Sequence, residues 1–350
     1  MANSVLSPEQ RKGISIVGGF SHPELTKQIA YSIESMSPSP LEQKTFPNSE
    51  LYVRYPESVR GKKVFIVQTH QPGLRDINGV SEFFSINDAI TEQALLVQAA
   101  DTSSANEITA VVPFLGYSRQ DRKSQGRESI SVMYTLGVLA AMGAHRIVTV
   151  DLHSSQTQLG FAGGHRQFDH LTGQPLVLNQ VRHEISKYSI EECVVVSPDA
   201  GATKLAQTQQ EALDVDLIHM AKKRKRGESH EITREDKVAD VDGRVCIIFD
   251  DMIDTAGTIA TAAHVLNNSG AKAIIVAATH GLFSGEALVR IKDSPIDKVV
   301  VTDTVPMDFA ESVLQEKLSI VSIAPTIGQA IVEIASEGSV SKLFGDQNHR

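Results

Sequence analysis

Residues 245–258 read VCIIFDDMIDTAGT. Val245 to Phe249 is an apolar run rich in β-branched residues, the composition of a buried strand. It runs into two adjacent acids, Asp250 and Asp251. Asp254-Thr255-Ala256-Gly257-Thr258 then turns into a segment of helical spacing, Ile259 to Asn267. Such a turn presents free backbone N–H groups and hydroxyls, which suit a phosphate. The acids before it suit sugar hydroxyls or a hydrated Mg2+. The turn lacks the GxxxxGK[ST] pattern and its lysine, so it is no Walker loop.

Outward from this stretch, short apolar runs alternate with segments of helical length. Strands are expected at Ile14–Val17, Val64–Gln68, Ile108–Val112, Ile147–Val150, Val194–Val196, Val245–Phe249, Ala273–Ala277, Val299–Val301 and Leu318–Ile323. Leu25–Ile33, Ile90–Ala100, Val132–Met142 and Ala260–Leu266 carry helix spacing. Strand alternating with helix implies α/β architecture with mainly parallel sheets flanked by helices. At 350 residues, two domains are favoured over one very wide sheet. Glycine, proline and polar residues near Gly160 to Pro175 mark the boundary. The runs FIVQT, TAVVP and RIVTVDL echo CIIFDDM, IIVAATH and KVVVTDT, which suggests two similar domains. The expected division is 1–169, 170–330 and a helical tail at 331–350 able to pack on either domain.

Composition narrows the function. The chain is 41% hydrophobic and 21% charged, as in ordinary soluble domains, with a formal net charge of −9 that argues against bulk nucleic-acid binding. Cys193 and Cys246 both start apolar runs and read as buried small hydrophobes. No apolar stretch of about 18 residues exists, and MANSVLSPEQRKG lacks a signal core. A cytoplasmic protein without a membrane partner is expected.

Four further places carry candidate chemistry, three of them where loops leave strand ends, the binding edge of open α/β sheets. Phe46 to Tyr52, FPNSELY, is either a hairpin corner or a ligand loop. PFLGYSRQDRKSQGR, 113–127, gathers Arg119, Arg122, Lys123 and Arg127 after a buried strand, which suits an anion better than a solvated loop. VDLHSS, 150–155, puts His153 just past a strand as a ligand, a base or a structural residue. VVVSPDAGATK, 194–204, is a second phosphate-ready turn, with Asp199 available to a metal. A fifth place, KKRKR at 222–226, reads in isolation as a nucleic-acid patch. In an acidic chain a basic loop over polyphosphate fits better.

Together DDMIDTAGT, VTVDLHSSQ, GYSRQDRK, VVSPDAG and THGLFSGEA resemble the ribose-phosphate pyrophosphokinases, or phosphoribosyl pyrophosphate synthetases, over nearly the whole chain. DDMIDTAGT alone leaves phosphoribosyltransferases open; DLH with SRQDRK makes the resemblance specific. It implies a type I phosphoribosyltransferase-like fold in both domains and transfer of the β,γ-diphosphoryl group of MgATP to the C1 hydroxyl of ribose 5-phosphate. By the same resemblance Thr255, Ala256, Gly257 and Thr258 hold the 5-phosphate, Asp250 and Asp251 the ribose hydroxyls, and Asp254 belongs to that loop. His153 and Asp199 match Mg2+ positions, and His153, Arg119 and Gln120 match ATP contacts. Phe46, Asn48 and Glu50 match an adenine loop lent by a neighbouring subunit. Lys222 and Arg224 match the catalytic basic pair, with Lys223 as the alternative register. The family implies a homo-oligomer of dimers assembled into a hexamer.

Two departures stand out. Asn48 occupies a position where many members carry Asp, and Gly73 to Asp88 is longer than the family pattern. A non-catalytic regulatory subunit is the alternative reading, and retention of the acids, His153 and the basic pair argues for activity.

Overall fold

The computed structural model describes residues 5–77, 80–161, 163, 165–199, 201–220 and 237–344. The chain forms two compact units, one of residues 1–172 with 323–350 and one of residues 173–322. In the first, the strands in chain order are β1 Ile14–Gly18, β2 Glu42–Thr45, β3 Leu51–Arg54, β4 Lys63–Val67, β5 Gly73–Ile77, β6 Val80–Phe84, β7 Glu107–Val112, β8 Arg146–Val150 and β9 Gln167–Leu171. Among the described residues β1-β4-β7-β8-β9 form one sheet in that order, parallel throughout. β2–β3 and β5–β6 are separate antiparallel ribbons.

The second unit holds β10 Cys193–Ser197, β11 Asp216–His219, β12 Val245–Ile253, β13 Ala273–Gly281, β14 Lys298–Thr302 and β15 Leu318–Val321. Their order is β11-β10-β12-β13-β14-β15, again parallel. The three echoing sequence runs are β4-β7-β8 and β12-β13-β14, three adjacent strands in the same order in each unit. The second sheet adds β11 outside β10. The chain therefore reverses direction across the sheet between β10 and β12, and a crevice opens beyond the carboxyl ends of strands at such a reversal.

These strands are legible as runs because both faces are covered: Val245 to Phe249 and Val194 to Val196 are all fully buried. Burying each such side chain contributes about 1.5–3 kcal/mol relative to exposure. Helices Pro23–Ser32, Ile86–Thr102, Val132–Ala141 and Gly257–Asn268 coincide with the expected helical segments. The atypical segment 73–88 contains the β5–β6 ribbon, after which Ser85 and Asp88 close a capping box that starts helix Ile86–Thr102. Six strands lie outside the expected set: the four of the two antiparallel ribbons, β9 and β11. β9 occupies the stretch read as a boundary, and β11 is an edge strand of mixed burial.

The C-terminal helix, Ala324–Ala335, belongs to the first unit and packs on helix Pro23–Ser32. Gly328 makes that approach close: a Cβ there would lie 2.1 Å from Ser32 Oγ. Lys63 Nζ reaches the Ala335 carbonyl at the helix end, 3.3 Å away.

Candidate active site

In the second unit the acids lie inside β12 rather than beyond it. Pairing with β10 stops at Val195↔Ile247, whereas pairing with β13 continues through Asp250↔Ala278 to Ile253↔Gly281. Strand geometry thus carries Asp250 and Asp251 past the end of β10, half-buried and paired on one side only. The Asp251 N–H donates to Asp250 Oδ1 at 2.8 Å. Burial first, then the neighbouring Asp251 carboxylate, push Asp250 up to about 7, and Asp199 acts in the same direction. The β10 loop therefore brings Asp199 electrostatically close to the β12 acids. Asp199 also shapes its own turn, its Oδ1 accepting the N–H groups of Gly201 at 2.8 Å and Ala202 at 3.1 Å.

Beyond β12, Asp254 and Thr255 lead to Ala256, which adopts a left-handed conformation with φ 57° and ψ 12°. That conformation is costly for a residue with a Cβ, so its surroundings must hold it. Helix Gly257–Asn268 starts immediately, and no side chain caps its first turn among the described residues. Its amides are left to a ligand or water. A Cβ on Gly257 would have Thr255 Oγ1 as its nearest contact, at 3.9 Å, so the space in front of the turn is open. Uncapped amides, exposed Thr255 and Thr258, and two carboxylates together fit a phosphorylated polyol.

Gln174 was not singled out in the sequence. Its Nε2 reaches the Asp250 carbonyl at 3.4 Å and Thr279 Oγ1 at 3.0 Å, while Gln209 Nε2 holds its oxygen at 3.1 Å. This chain of amides fixes the β12 backbone beneath the acids.

In the first unit, Arg119 and Gln120 follow β7 and His153 follows β8, on adjacent strands at one sheet edge. All three are exposed. The β7 loop is anchored by Gly116, where a Cβ would meet His70 Cβ and Ile86 Cδ1, both at 2.9 Å. Tyr117 turns it in a left-handed conformation, φ 63°, and ties its hydroxyl to Asn87 Oδ1 at 2.6 Å. The Ser131 hydroxyl donates to Gln120 Oε1. Further along the basic loop, Glu128 Oε2 accepts the N–H groups of Ser124 and Gln125 at 2.8 and 2.9 Å. These bonds hold its carboxyl below the usual range.

The strand β9 explains the conformation at His153. The Leu171 carbonyl accepts the Asp151 N–H at 3.0 Å, and His170 Nε2 accepts the Leu152 N–H at 2.8 Å. Asp151 is thereby held at a positive φ of 31° just before Leu152 and His153.

Phe46, Asn48 and Glu50 are exposed at the corner of the β2–β3 ribbon. Asn48 Oδ1 accepts the Glu50 N–H at 3.3 Å, and the Phe46 N–H donates to the Glu50 carbonyl at 2.8 Å. A carboxylate at position 48 could accept the same bond, so the Asp-to-Asn departure is compatible with this corner. The ribbon is tied to helix Ile86–Thr102 by Gln43 Nε2, which donates to Glu92 Oε1 at 2.7 Å.

The expected catalytic pair, Lys222 and Arg224, and the alternative Lys223 lie outside the described residues. Among the described residues no three His, Cys, Asp or Glu side chains gather as a metal cage. Mg2+ typically takes one or two carboxylates with water and substrate phosphates, a requirement that the single carboxylate of Asp199 fits.

A sequence model for the N-terminal domain of ribose phosphate pyrophosphokinase matches residues 14–143, and one for a phosphoribosyl synthetase-associated domain matches residues 235–345. The ribose-phosphate pyrophosphokinase of Streptomyces avermitilis is 40% identical over 336 residues, spanning 96% of this chain and 97% of the relative. That of Bifidobacterium longum is 40% identical over 352 residues, 98% of this chain and 96% of its own length. The crystal structure of phosphoribosylpyrophosphate synthetase from Mycobacterium smegmatis superposes with a TM-score of 0.78 at 35% identity, covering 93% of this chain and all of that one, 100%.

Proposed function

The chain belongs to the ribose-phosphate pyrophosphokinase family, and from that premise we propose how its residues divide the work. The enzyme transfers the β,γ-diphosphoryl group of ATP to the C1 hydroxyl of ribose 5-phosphate, giving 5-phosphoribosyl 1-pyrophosphate and AMP. The bond from O1 to the β-phosphorus forms, the bond from that phosphorus to the α,β-bridging oxygen breaks, and AMP departs with that oxygen. The C1 hydroxyl proton is released to solvent.

The observation that supports the assignment best is the uncapped helix start after β12, which faces open space in the segment that carries Asp250 and Asp251. In our reading the amides of Ala256 to Thr258, with the hydroxyls of Thr255 and Thr258, hold the 5-phosphate. Asp250 and Asp251 hold the ribose 2- and 3-hydroxyls, which fixes the direction of the C1 hydroxyl. Asp254 belongs to the same turn. Orientation of this kind removes much of the entropic barrier to an in-line attack.

Arg119, Gln120 and His153 serve ATP from the β7 and β8 edges, and Phe46, Asn48 and Glu50 serve the adenine of a neighbouring subunit. That requires a homo-oligomer, and the family resemblance supports dimers assembled into a hexamer. Asp199 and His153 are assigned to Mg2+, which when bound neutralises triphosphate charge. Lys222 and Arg224 stabilise charge on the transferring phosphoryl oxygens. We place the enzyme in the cytoplasm, as its resemblance to metabolic synthetases suggests.

The test is AMP formation dependent on both ribose 5-phosphate and Mg2+. Lys222→Ala should collapse kcat while ribose 5-phosphate still binds. Wild-type protein that binds ribose 5-phosphate but releases no AMP would instead be a regulatory subunit.

A further inference from the structure

The turn that follows β12 is held from behind by one segment, residues 282–290. The Ile253 carbonyl accepts the N–H groups of Leu282 at 2.9 Å and Phe283 at 3.0 Å, and the Asp254 carbonyl accepts that of Ser284 at 2.9 Å. The next carbonyl, that of Thr255, accepts Arg290 Nη1 at 2.9 Å. Three successive carbonyls are thus engaged on one side of the turn. Immediately after them comes Ala256 in its left-handed conformation, then the uncapped amides of the helix.

This arrangement has a direct consequence for the ligand side. A peptide unit is rigid, so fixing the Thr255 carbonyl fixes the direction of the N–H that Ala256 presents. Left free, the Thr255–Ala256 peptide would relax toward right-handed backbone, because a left-handed alanine costs about 1–2 kcal/mol. Holding that carbonyl opposes the relaxation.

We propose that Arg290 is a positioning residue for ribose 5-phosphate. Its guanidinium holds the Thr255 carbonyl so that the Ala256–Thr258 amides stay aimed at the 5-phosphate before substrate arrives. The inference rests on the assignment of that turn to ribose 5-phosphate. Arg290 lies on helix Ala287–Lys292, 35 residues along the chain from Thr255, and touches the turn through its backbone only. Its second partner is Glu286 Oε2 at 3.0 Å, an exposed ion pair whose side chains are 41% and 77% accessible. Such a pair contributes little to stability, so variants at either position should fold.

The experiment compares steady-state kinetics of the full-length enzyme with Arg290→Met, Arg290→Lys, Glu286→Gln and Thr258→Val. Arg290→Met should raise KM for ribose 5-phosphate about 5- to 10-fold, the worth of one hydrogen bond, with KM for ATP unchanged and thermal stability preserved. Arg290→Lys, which keeps one N–H for the Thr255 carbonyl, should recover most of the loss. Glu286→Gln should change nothing, since the carbonyl bond remains. If Thr258→Val weakens ribose 5-phosphate and Arg290→Met does not, the positioning role is wrong while the site assignment stands. If neither does, the site assignment fails and takes the positioning role with it. Equal loss for both substrates, or a fall in melting temperature matching the kinetic loss, would mark Arg290 as generally structural and overturn the proposal.

Discussion

His70 Nδ1 accepts the Gly116 backbone N–H at 3.2 Å, and the opposite ring nitrogen, Nε2, donates its proton to Gln93 Oε1 at 2.8 Å. Both ring nitrogens are therefore committed, and the ring is neutral. Burial drives this histidine down to about 4, against the opposing hydrogen bond to Gln93. The unfolded chain takes up the proton near 6.5 and the folded one only near 4, so between those values the unfolded state binds more protons. Stability from this group is full above about 6.5 and is lost as pH falls toward 4, by about 3 kcal/mol. Chemical unfolding of wild type and His70→Gln at pH 7.5 and 5 should show the acid-side loss in wild type alone. Equal slopes in both proteins would reject a buried neutral imidazole.

Glu92 should behave oppositely. It lies buried beneath the β2–β3 ribbon, accepting the Phe20 N–H at 3.0 Å, Gln43 Nε2 at 2.7 Å and Gln68 Nε2. Burial raises it to about 7 despite these donors and Arg75. A carboxyl raised from its unfolded value of 4.5 contributes stability that is complete below 4.5 and disappears as pH rises through 7. Glu92→Gln, whose amide can meet a flipped Gln43 amide, should gain on wild type by about 3 kcal/mol at pH 8 and little at pH 4.5. A constant difference between the two proteins across that range would show that Glu92 does not titrate there.

The sequence made the sheets legible for a physical reason. Strands covered on both faces must be continuously apolar, and runs such as Val245 to Phe249 meet that demand locally. Of the strands it missed, β9 QFDHL and β11 DLIH sit at the edges of the two main sheets and β2, β3, β5 and β6 form two-stranded ribbons, where partial exposure admits charge and hides the run. The acids Asp250 and Asp251 were legible as chemistry but not as strand, because only the ladder to β13 extends β12 that far. Supporting residues were invisible. His70 and Gly116, Gln174 and Asp250, and Arg290 and Thr255 meet only through the fold, and nothing in a local stretch announces a partner 35 or more residues away.

Gly257 separates stability from function. It is the first residue of helix Gly257–Asn268, where alanine is the better helix former by up to about 1 kcal/mol. The nearest atom to an added Cβ is Thr255 Oγ1 at 3.9 Å, so the folded protein has room for it. A phosphate seated on the turn would not. Gly257→Ala should melt at or above the wild-type temperature and lose ribose 5-phosphate affinity by at least about tenfold, roughly 1.4 kcal/mol. Calorimetry and a binding titration on the same sample decide it; unchanged affinity would remove this turn from the phosphate site.

Asp250 should show the cost of keeping a binding group ready. Desolvation and the adjacent Asp251 hold it near 7, so at neutral pH the fold carries a half-buried carboxyl pair that resists its second negative charge. The sign follows as for Glu92: the folded state holds the proton more tightly than the unfolded chain, whose value is 3.8. Stability from this site is therefore greatest below about 4 and falls as pH rises through 7. Asp250→Asn removes the charge while keeping the shape, and should raise stability at pH 8 by a few kcal/mol at most, with the advantage shrinking toward pH 4. The same change should weaken ribose 5-phosphate, because an amide replaces one oxygen acceptor facing the sugar hydroxyls by a donor; a loss of about tenfold or more corresponds to one charge-assisted hydrogen bond. A variant that is more stable at pH 8 yet binds worse is the signature of a group retained for binding against the interest of the fold. Thermal melts at pH 5 and 8 with a ribose 5-phosphate titration measure both halves, and a variant less stable than wild type at pH 8 would show that the Asp250 carboxylate is already compensated in the free enzyme.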